Sequence, residues 1–187
     1  MIIIQAERRS HTIAREQLLD TVFGASRFAK SSERLREGRM PADGLAFVAL
    51  DRSRIVGTVR LWAVTAGRGR PCLMLGPLAV VADARNRGIG GALMLHALDQ
   101  AKRLGHRAVL LVGDAAYYRR FGFSADKTGA LWLTGPHDPH RLLACELVPG
   151  SLDGARGLIA ASRPPHPYSG RMSVAGRQLA LTAGITA

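Results

Sequence analysis

Cysteine is scarce in this chain: its 187 residues include only Cys72 and Cys145, too few for the disulfide framework that holds small secreted domains together. Long apolar runs are missing as well, and none approaches the roughly 20 residues that a membrane-spanning helix needs. The apolar start, Met1 to Ile4, is too short for a signal peptide and has no basic leader before it. We therefore expect a cytoplasmic protein with no membrane partner.

Aromatic residues make up only 5% of the chain, whereas basic residues are abundant and give a net charge of +12. Only Lys30, Lys102 and Lys127 are lysines, and the other basic residues are arginines, which suit forked recognition of phosphate. The charge indicates an anionic partner, either nucleic acid or a phosphorylated cofactor, but a genome biased toward arginine codons explains it equally well. Because the arginines are scattered and stacking aromatics are few, nucleic acid is the weaker alternative.

The periodicity of the apolar residues predicts a mixed α/β fold in one domain. Helices are predicted over residues 10–23, 88–104 and 115–121, and strands over residues 1–8, 45–50, 55–64, 72–81, 108–112, 130–133 and 142–148. In the helix predicted over residues 88–104, one face carries four apolar residues: Leu93, Ala97, Leu98 and Ala101. Residues 25–44, which follow the first helix, are predicted to form another short helix or a mobile segment.

A change in composition predicts a domain boundary near residue 150. No acidic residue follows Asp153, while four arginines and a cluster of prolines remain. We assign residues 1–150 to the folded domain and predict that residues 151–187 form a basic, poorly ordered tail.

The most informative motif is the glycine-rich stretch 85–91, Arg-Asn-Arg-Gly-Ile-Gly-Gly, which lies between an apolar strand and a helix. Glycines let backbone N–H groups approach a ligand, and a helix N-terminus carries partial positive charge, so the stretch can hold a phosphate or pyrophosphate. It matches neither a P-loop nor a dinucleotide-binding fingerprint. A plain glycine-rich turn is the alternative.

Two neighbouring motifs add to this one: Leu-Gly-Pro-Leu-Ala-Val at 75–80 and Tyr-Arg-Arg-Phe-Gly-Phe at 118–123. Together the three motifs resemble the GNAT superfamily of acyl-CoA-dependent N-acyltransferases, and more narrowly its YhbS-like branch, over residues 1–150. The resemblance implies a GNAT-type fold, with a splayed, mostly antiparallel sheet of six to seven strands flanked by helices. It also implies acetyl-CoA as acyl donor, an amine as acceptor and no metal.

The resemblance also assigns roles to individual residues. The backbone of Leu78, Ala79 and Val80 would bind the pantetheine arm and thioester, and Tyr118 would protonate the leaving thiolate. The pyrophosphate would be held at the loop formed by Arg85, Asn86, Arg87, Gly88, Ile89, Gly90 and Gly91. Two departures stand out: Gly113-Asp114 replaces the asparagine usual after the fifth strand, and the fourth strand carries no carboxylate to act as base.

The chemistry of the residues agrees with these roles. The Gly76-Pro77 pair suits a bulge that frees a backbone N–H, with Val80 as the donor to the thioester oxygen. Tyrosine, with a pKa near ~10, can protonate a thiolate held beside it. Tyr117 is the second choice for this acid and is predicted to be a core aromatic.

Other functions and partners stay open. A non-catalytic acyl-CoA sensor would use the same loop, and a homodimer is compatible with the sequence. The His137-Asp138-Pro139-His140 stretch is predicted to be a surface loop rather than a metal site. Arg60 and Trp62 are predicted to line the acceptor side or to pack in the sheet.

Overall fold

The computed structural model describes residues 1–29 and 31–162. Its strands are β1 (Ile2–Ala6), β2 (Ala46–Asp51), β3 (Arg54–Ala66), β4 (Arg70–Val80), β5 (Ala108–Val112), β6 (Leu131–Trp132), β7 (Leu142–Glu146) and β8 (Gly157–Ala161). Its α-helices are α1 (Thr12–Phe23), α2 (Ile89–Arg103) and α3 (Ala115–Tyr118). Among the described residues, no helix has the length and apolar character needed to cross a membrane.

The strands form one mixed sheet in the order β1-β2-β3-β4-β5-β7, with β8 paired to β3 and β6 paired to β8. All pairs are antiparallel except β4–β5 and β6–β8. The predicted hairpin is present, since Asp51 pairs with Arg54 across the turn between β2 and β3. The mostly antiparallel, mixed α/β architecture predicted from the sequence is confirmed, with eight strands instead of six to seven.

Helix α2 packs on the sheet through the apolar face that the sequence predicts. Leu93, Ala97 and Ala101 are fully buried in the larger of two hydrophobic clusters. Gly57 on β3 makes the close approach possible: a Cβ there would lie 3.0 Å from Leu93 Cδ1 and 3.2 Å from Ile89 Cγ2. The core therefore fixes where α2 begins, and with it the position of the glycine-rich loop.

The eighth strand corrects the predicted boundary at residue 150. Strand β8 continues the sheet beside the end of β3, where Ala66 pairs with Ile159. Ile159 is fully buried in the second cluster, which explains why this short apolar run is ordered despite its basic surroundings. The folded domain therefore extends through Ala161. The rest of the predicted tail, residues 163–187, lies outside the described residues.

Two other segments differ from their predicted form. Residues 25–44, predicted to be one short helix or a mobile segment, hold two short 3-10 helices, Ala25–Ala29 and Ser31–Leu35. The helix predicted over 115–121 is α3 followed by a 3-10 turn, Arg119–Phe121. Asp114 caps α3, because its Oδ1 accepts a hydrogen bond of 3.0 Å from the N–H of Ala116.

Candidate active site

A cleft opens in the middle of the sheet where β4 and β5 separate. The two parallel strands pair only at Leu73 with Val109 and at Met74 with Leu110. Beyond this point β4 continues to Val80 and β5 to Val112 without pairing to each other. The loop before α2 follows β4, and α3 follows β5. Residues from three sequence motifs therefore line one cleft.

A bulge in β4 lies where the cleft begins. The register between β3 and β4 shifts between Val59 and Leu61, so Gly76 and Pro77 lie opposite Arg60. The indole N–H of Trp62 donates a hydrogen bond to the carbonyl oxygen of Gly76. The bulge that the sequence predicts at Gly76-Pro77 is thus present, and a buried tryptophan holds it in place.

The end of β4 presents peptide groups to the cleft. The N–H of Val81 bonds to the carbonyl of Val56 at 3.0 Å, and hydrogen-bonded pairs alternate along an antiparallel ladder. The peptide groups of Ala79 therefore point to β3, while those of Leu78 and Val80 point away from it, toward the splayed edge. No strand in the described part of the chain pairs with that edge beside Leu78 or Val80. Ala79 is itself buried.

The glycine-rich loop leaves the first turn of α2 open. Gly88, the N-cap residue, has a left-handed backbone (φ 74°) and no side chain caps the helix. Asn86 also has a positive φ (61°), which asparagine tolerates better than most residues. Residues 85–88 are exposed, whereas Ile89 is buried in the core. Backbone N–H groups in this first turn therefore lack intrahelical partners and can bind an anion.

The two arginines of the loop differ in their contacts. Arg87 Nη1 binds Asp51 Oδ2 at the end of β2, at 2.9 Å, and this hydrogen bond lowers the pKa of Asp51. Arg85 is exposed and follows a 3-10 turn, Ala82–Ala84. Arg87 thus ties the loop to β2, which leaves Arg85 as the arginine more available to a ligand.

Tyr118 is the last residue of α3, and its half-buried ring packs against the core. The ring fills the space beside Gly113, where an added Cβ would collide with it, and it packs edge-on to Phe123 with ring centroids 6.0 Å apart. Burial raises the pKa of Tyr118 to about 12, and the nearby charge of Arg141 acts in the opposite direction. The hydroxyl therefore stays protonated at neutral pH.

Tyr117 faces the phosphate loop instead of the core. Its hydroxyl oxygen lies 3.1 Å from the position that a Cβ on Gly90 would occupy, and Val80 Cγ2 lies 3.7 Å from the same point. The guanidinium of Arg120 stacks on the Tyr117 ring, 4.1 Å from its centroid. Of the two tyrosines, Tyr118 and not Tyr117 is the partly buried aromatic that packs against the larger cluster.

The turn at Ser31–Leu35 covers the other side of the bulge. Leu35 is buried in the second cluster together with Trp62, and Ser31 donates a hydrogen bond to the carbonyl of Pro136. Arg36, at the end of this turn, is 8% exposed and its Nη1 lies 3.6 Å from the position that a Cβ on Gly76 would occupy. No sequence pattern predicted a role for Arg36, because the pattern cannot distinguish a buried arginine from a solvated one.

Arg60 and Trp62 serve packing, as one of the two sequence interpretations predicts. Arg60 binds the buried carboxylate of Glu7, with Nε at 2.8 Å from Oε2, and Arg15 binds the same carboxylate at 2.8 Å. Burial raises the pKa of Glu7. With both of its oxygens engaged by arginines, Glu7 joins α1 to the sheet and is poorly suited to act as a base.

The histidine-containing loop has a local structural role. Asp138 caps the 3-10 turn Pro139–Arg141, because its Oδ1 accepts a hydrogen bond of 2.9 Å from the N–H of His140. Within residues 1–29 and 31–162, no three histidine, cysteine or acidic side chains are grouped as a metal would require.

Comparison with known proteins agrees with this architecture. Residues 11–123 match the acetyltransferase (GNAT) family. The uncharacterized N-acetyltransferase YhbS of Escherichia coli (strain K12) is 29% identical over 145 residues, which cover 77% of this chain and 86% of that protein. The uncharacterized N-acetyltransferase YjhQ from the same strain is 31% identical over 104 residues, 54% of this chain and 58% of that protein.

Solved structures show the same fold. The structure of YhbS from Escherichia coli in complex with CoA superposes with a TM-score of 0.73 at 27% identity, covering 92% of this chain and 93% of that one. A GNAT family acetyltransferase from Brucella melitensis in complex with acetyl-CoA gives a TM-score of 0.57 at 27% identity, over 77% of this chain and 95% of that one. The family match over more than half of the sequence shows that this chain belongs to the acetyltransferase (GNAT) family.

Proposed function

We propose that the protein transfers the acetyl group of acetyl-CoA to a primary amine of a small molecule or protein. The observation that carries this proposal is the open first turn of α2, which borders the cleft between β4 and β5. The relatives solved with CoA and acetyl-CoA support the choice of donor. The pyrophosphate would accept hydrogen bonds from N–H groups of residues 88–91, and Arg85 would add positive potential.

The pantetheine arm would run along the free edge of β4. Val80 lies beside Gly90 of the phosphate loop, so its peptide groups are suited to the part of the arm nearest the pyrophosphate. The thioester is at the far end of the arm. We therefore assign its carbonyl oxygen to the N–H of Leu78, closer to the bulge, in place of the N–H of Val80. A fixed backbone donor at this point stabilises the developing oxyanion.

The chemical step would be direct attack on the thioester. The unprotonated amine adds to the carbonyl carbon, the C–S bond breaks, and the amine nitrogen gives up a proton to solvent. Tyr118 would donate its hydroxyl proton to the departing thiolate, and its phenolate would then take a proton from solvent. Because the pKa of Tyr118 is raised to about 12, the proton is present throughout the neutral range.

The first test is binding of acetyl-CoA, measured as a rise in melting temperature. Gly90→Glu places a negative side chain against the Tyr117 hydroxyl, where backbone must approach phosphate, and should abolish the rise. Leu95→Glu adds the same charge on an exposed position of the same helix and should preserve it. An equal rise in both folded variants would place the cofactor elsewhere. Release of free CoA with a panel of amines then separates an enzyme from a non-catalytic sensor.

A further inference from the structure

The guanidinium of Arg36 is buried beside the β4 bulge and only partly satisfied. Its Nε donates to the carbonyl of Ser32 at 3.2 Å and its Nη2 binds the carboxylate of Glu33 at 2.9 Å. Its Nη1 makes no hydrogen bond to another residue in the described part of the chain. Among the described residues, the fully buried side-chain nitrogens without a partner are Arg15 Nε and Arg39 Nη1, so Arg36 Nη1 is not sealed off by protein. This nitrogen can therefore donate to an acceptor that the chain does not supply.

The position of Nη1 specifies where that acceptor would lie. The atom lies 3.6 Å from the position of a Cβ on Gly76, two residues past the last pairing of β4 with β5 at Met74. Under the proposed function, the thioester lies at Leu78 on the same strand. The attacking amine must therefore arrive close to Arg36, on the side that the Ser31–Leu35 turn covers.

The charge around Arg36 indicates which kind of acceptor group its guanidinium can bind. Glu33 already neutralises part of the guanidinium charge, so a group with a single negative charge balances the remainder better than a phosphate would. Nε and Nη2 are already bound to Ser32 and Glu33. The two hydrogens of Nη1 can bind one carboxylate oxygen, or one oxygen each. We infer that Arg36 binds a carboxylate of the acceptor, which makes the acceptor an amine that also carries a carboxylate, as an amino acid does. This inference rests on the proposed function.

The inference can be tested with product analogues that differ only in charge. Trp62 reports on the site because its indole bonds to Gly76, and Trp132→Phe leaves it as the only tryptophan of the chain. In that background and with CoA bound, N-acetylglycine, N-acetylalanine and N-acetylphenylalanine are titrated by fluorescence beside their uncharged amides. At least one acid should bind at least tenfold more tightly than its amide.

Three variants assign the effect to Arg36. Arg36→Gln should remove the difference between acid and amide. Arg34→Gln, an exposed arginine of the same turn, should keep it. Glu33→Gln should tighten binding of the acid severalfold, because it removes the competing carboxylate from Nη2.

The outcomes separate this inference from the proposed function. Equal binding of acids and amides by a protein that still binds acetyl-CoA would overturn the inference alone. Persistence of the acid preference in folded Arg36→Gln would do the same. If Arg36→Gln does not fold, unchanged affinity in Glu33→Gln is the overturning result. A protein that acetyl-CoA does not stabilise would instead contradict the proposed function.

Discussion

The ring of Tyr118 occupies the space that a side chain at position 113 would need. A Cβ on Gly113 would overlap the edge of the ring and lie 3.1 Å from Leu111 Cδ1. Glycine at this position is therefore a steric requirement for the half-buried ring of Tyr118. The asparagine usual in the family after the fifth strand would not fit here without moving Tyr118.

Gly113→Ala should consequently destabilise the fold. The ring cannot yield easily because Phe123 packs against it, so we expect a loss of roughly 1–3 kcal/mol in the free energy of unfolding, the usual cost of overpacking. Gly129→Ala is the matched control, since a Cβ there meets nothing within 4 Å, and should change stability little or raise it slightly. Urea denaturation of both variants measures the difference. Equal stabilities would show that Tyr118 is not held as described.

The sequence predicted those parts of the fold that leave a local pattern in the chain, such as a periodic apolar face or an interrupted apolar run. The apolar face of α2 extends over four turns, and its predicted residues Leu93, Ala97, Leu98 and Ala101 are all buried. The β4 bulge was predicted because Gly-Pro interrupts an apolar run, and its register shift is present.

The features that the sequence did not predict depend on contacts distant in the chain. Strand β8 has only five residues. It joins the sheet because β3 is long enough to pair with it from Val64 to Ala66. Helix α3 has four residues, too few for a periodicity that could tell which of two adjacent tyrosines faces the core. Arg36 is buried because a turn folds over Trp62, which no local pattern shows.

Substituting the two tyrosines should affect different steps. Tyr118→Phe keeps the ring and its packing but removes the proposed acid, so kcat should fall by roughly 10²–10⁴-fold with little change in the affinity for acetyl-CoA. Tyr117→Phe removes a hydroxyl next to Gly90 and should weaken acetyl-CoA binding while changing kcat much less. Steady-state kinetics and a binding titration of each variant measure the two effects. Near-normal kcat in Tyr118→Phe would eliminate it as the acid.

A pH titration serves as the control for this assignment. The pKa of Tyr118 is raised from about 10 to about 12, so the folded state holds this proton more tightly than the unfolded state. The stability that this proton provides is complete below about pH 10 and is lost as the pH rises toward 12. Ultraviolet absorbance of the phenolate should show one tyrosine of the folded protein titrating in this range, and Tyr118→Phe should lack it. A normal pKa for Tyr118 would mean that its hydroxyl is more solvated than its contacts indicate.

Truncation tests the corrected domain boundary. A chain ending at Arg156 loses β8, and with it the buried Ile159 and the pairing of Ala66. A chain ending at Ser162 keeps the strand and the hydrogen bond of 3.1 Å from the Ser162 N–H to the carbonyl of Ala63. We expect the longer chain to match the full protein in melting temperature and acetyl-CoA binding, and the shorter one to be strongly destabilised.

Truncation at Arg156 removes β8 together with the residues that follow it. Point substitutions in the full chain test the contribution of β8 by itself. In the full chain, Ile159→Ala should lower the free energy of unfolding by about 2–5 kcal/mol, because it leaves a cavity in the second cluster. Leu158→Ala, on the neighbouring position with 41% of its surface exposed, should cost much less. If the two substitutions had equal effects, or if the chain ending at Arg156 were fully stable, residues 157–161 would not be part of the folded domain and the boundary would return to residue 150.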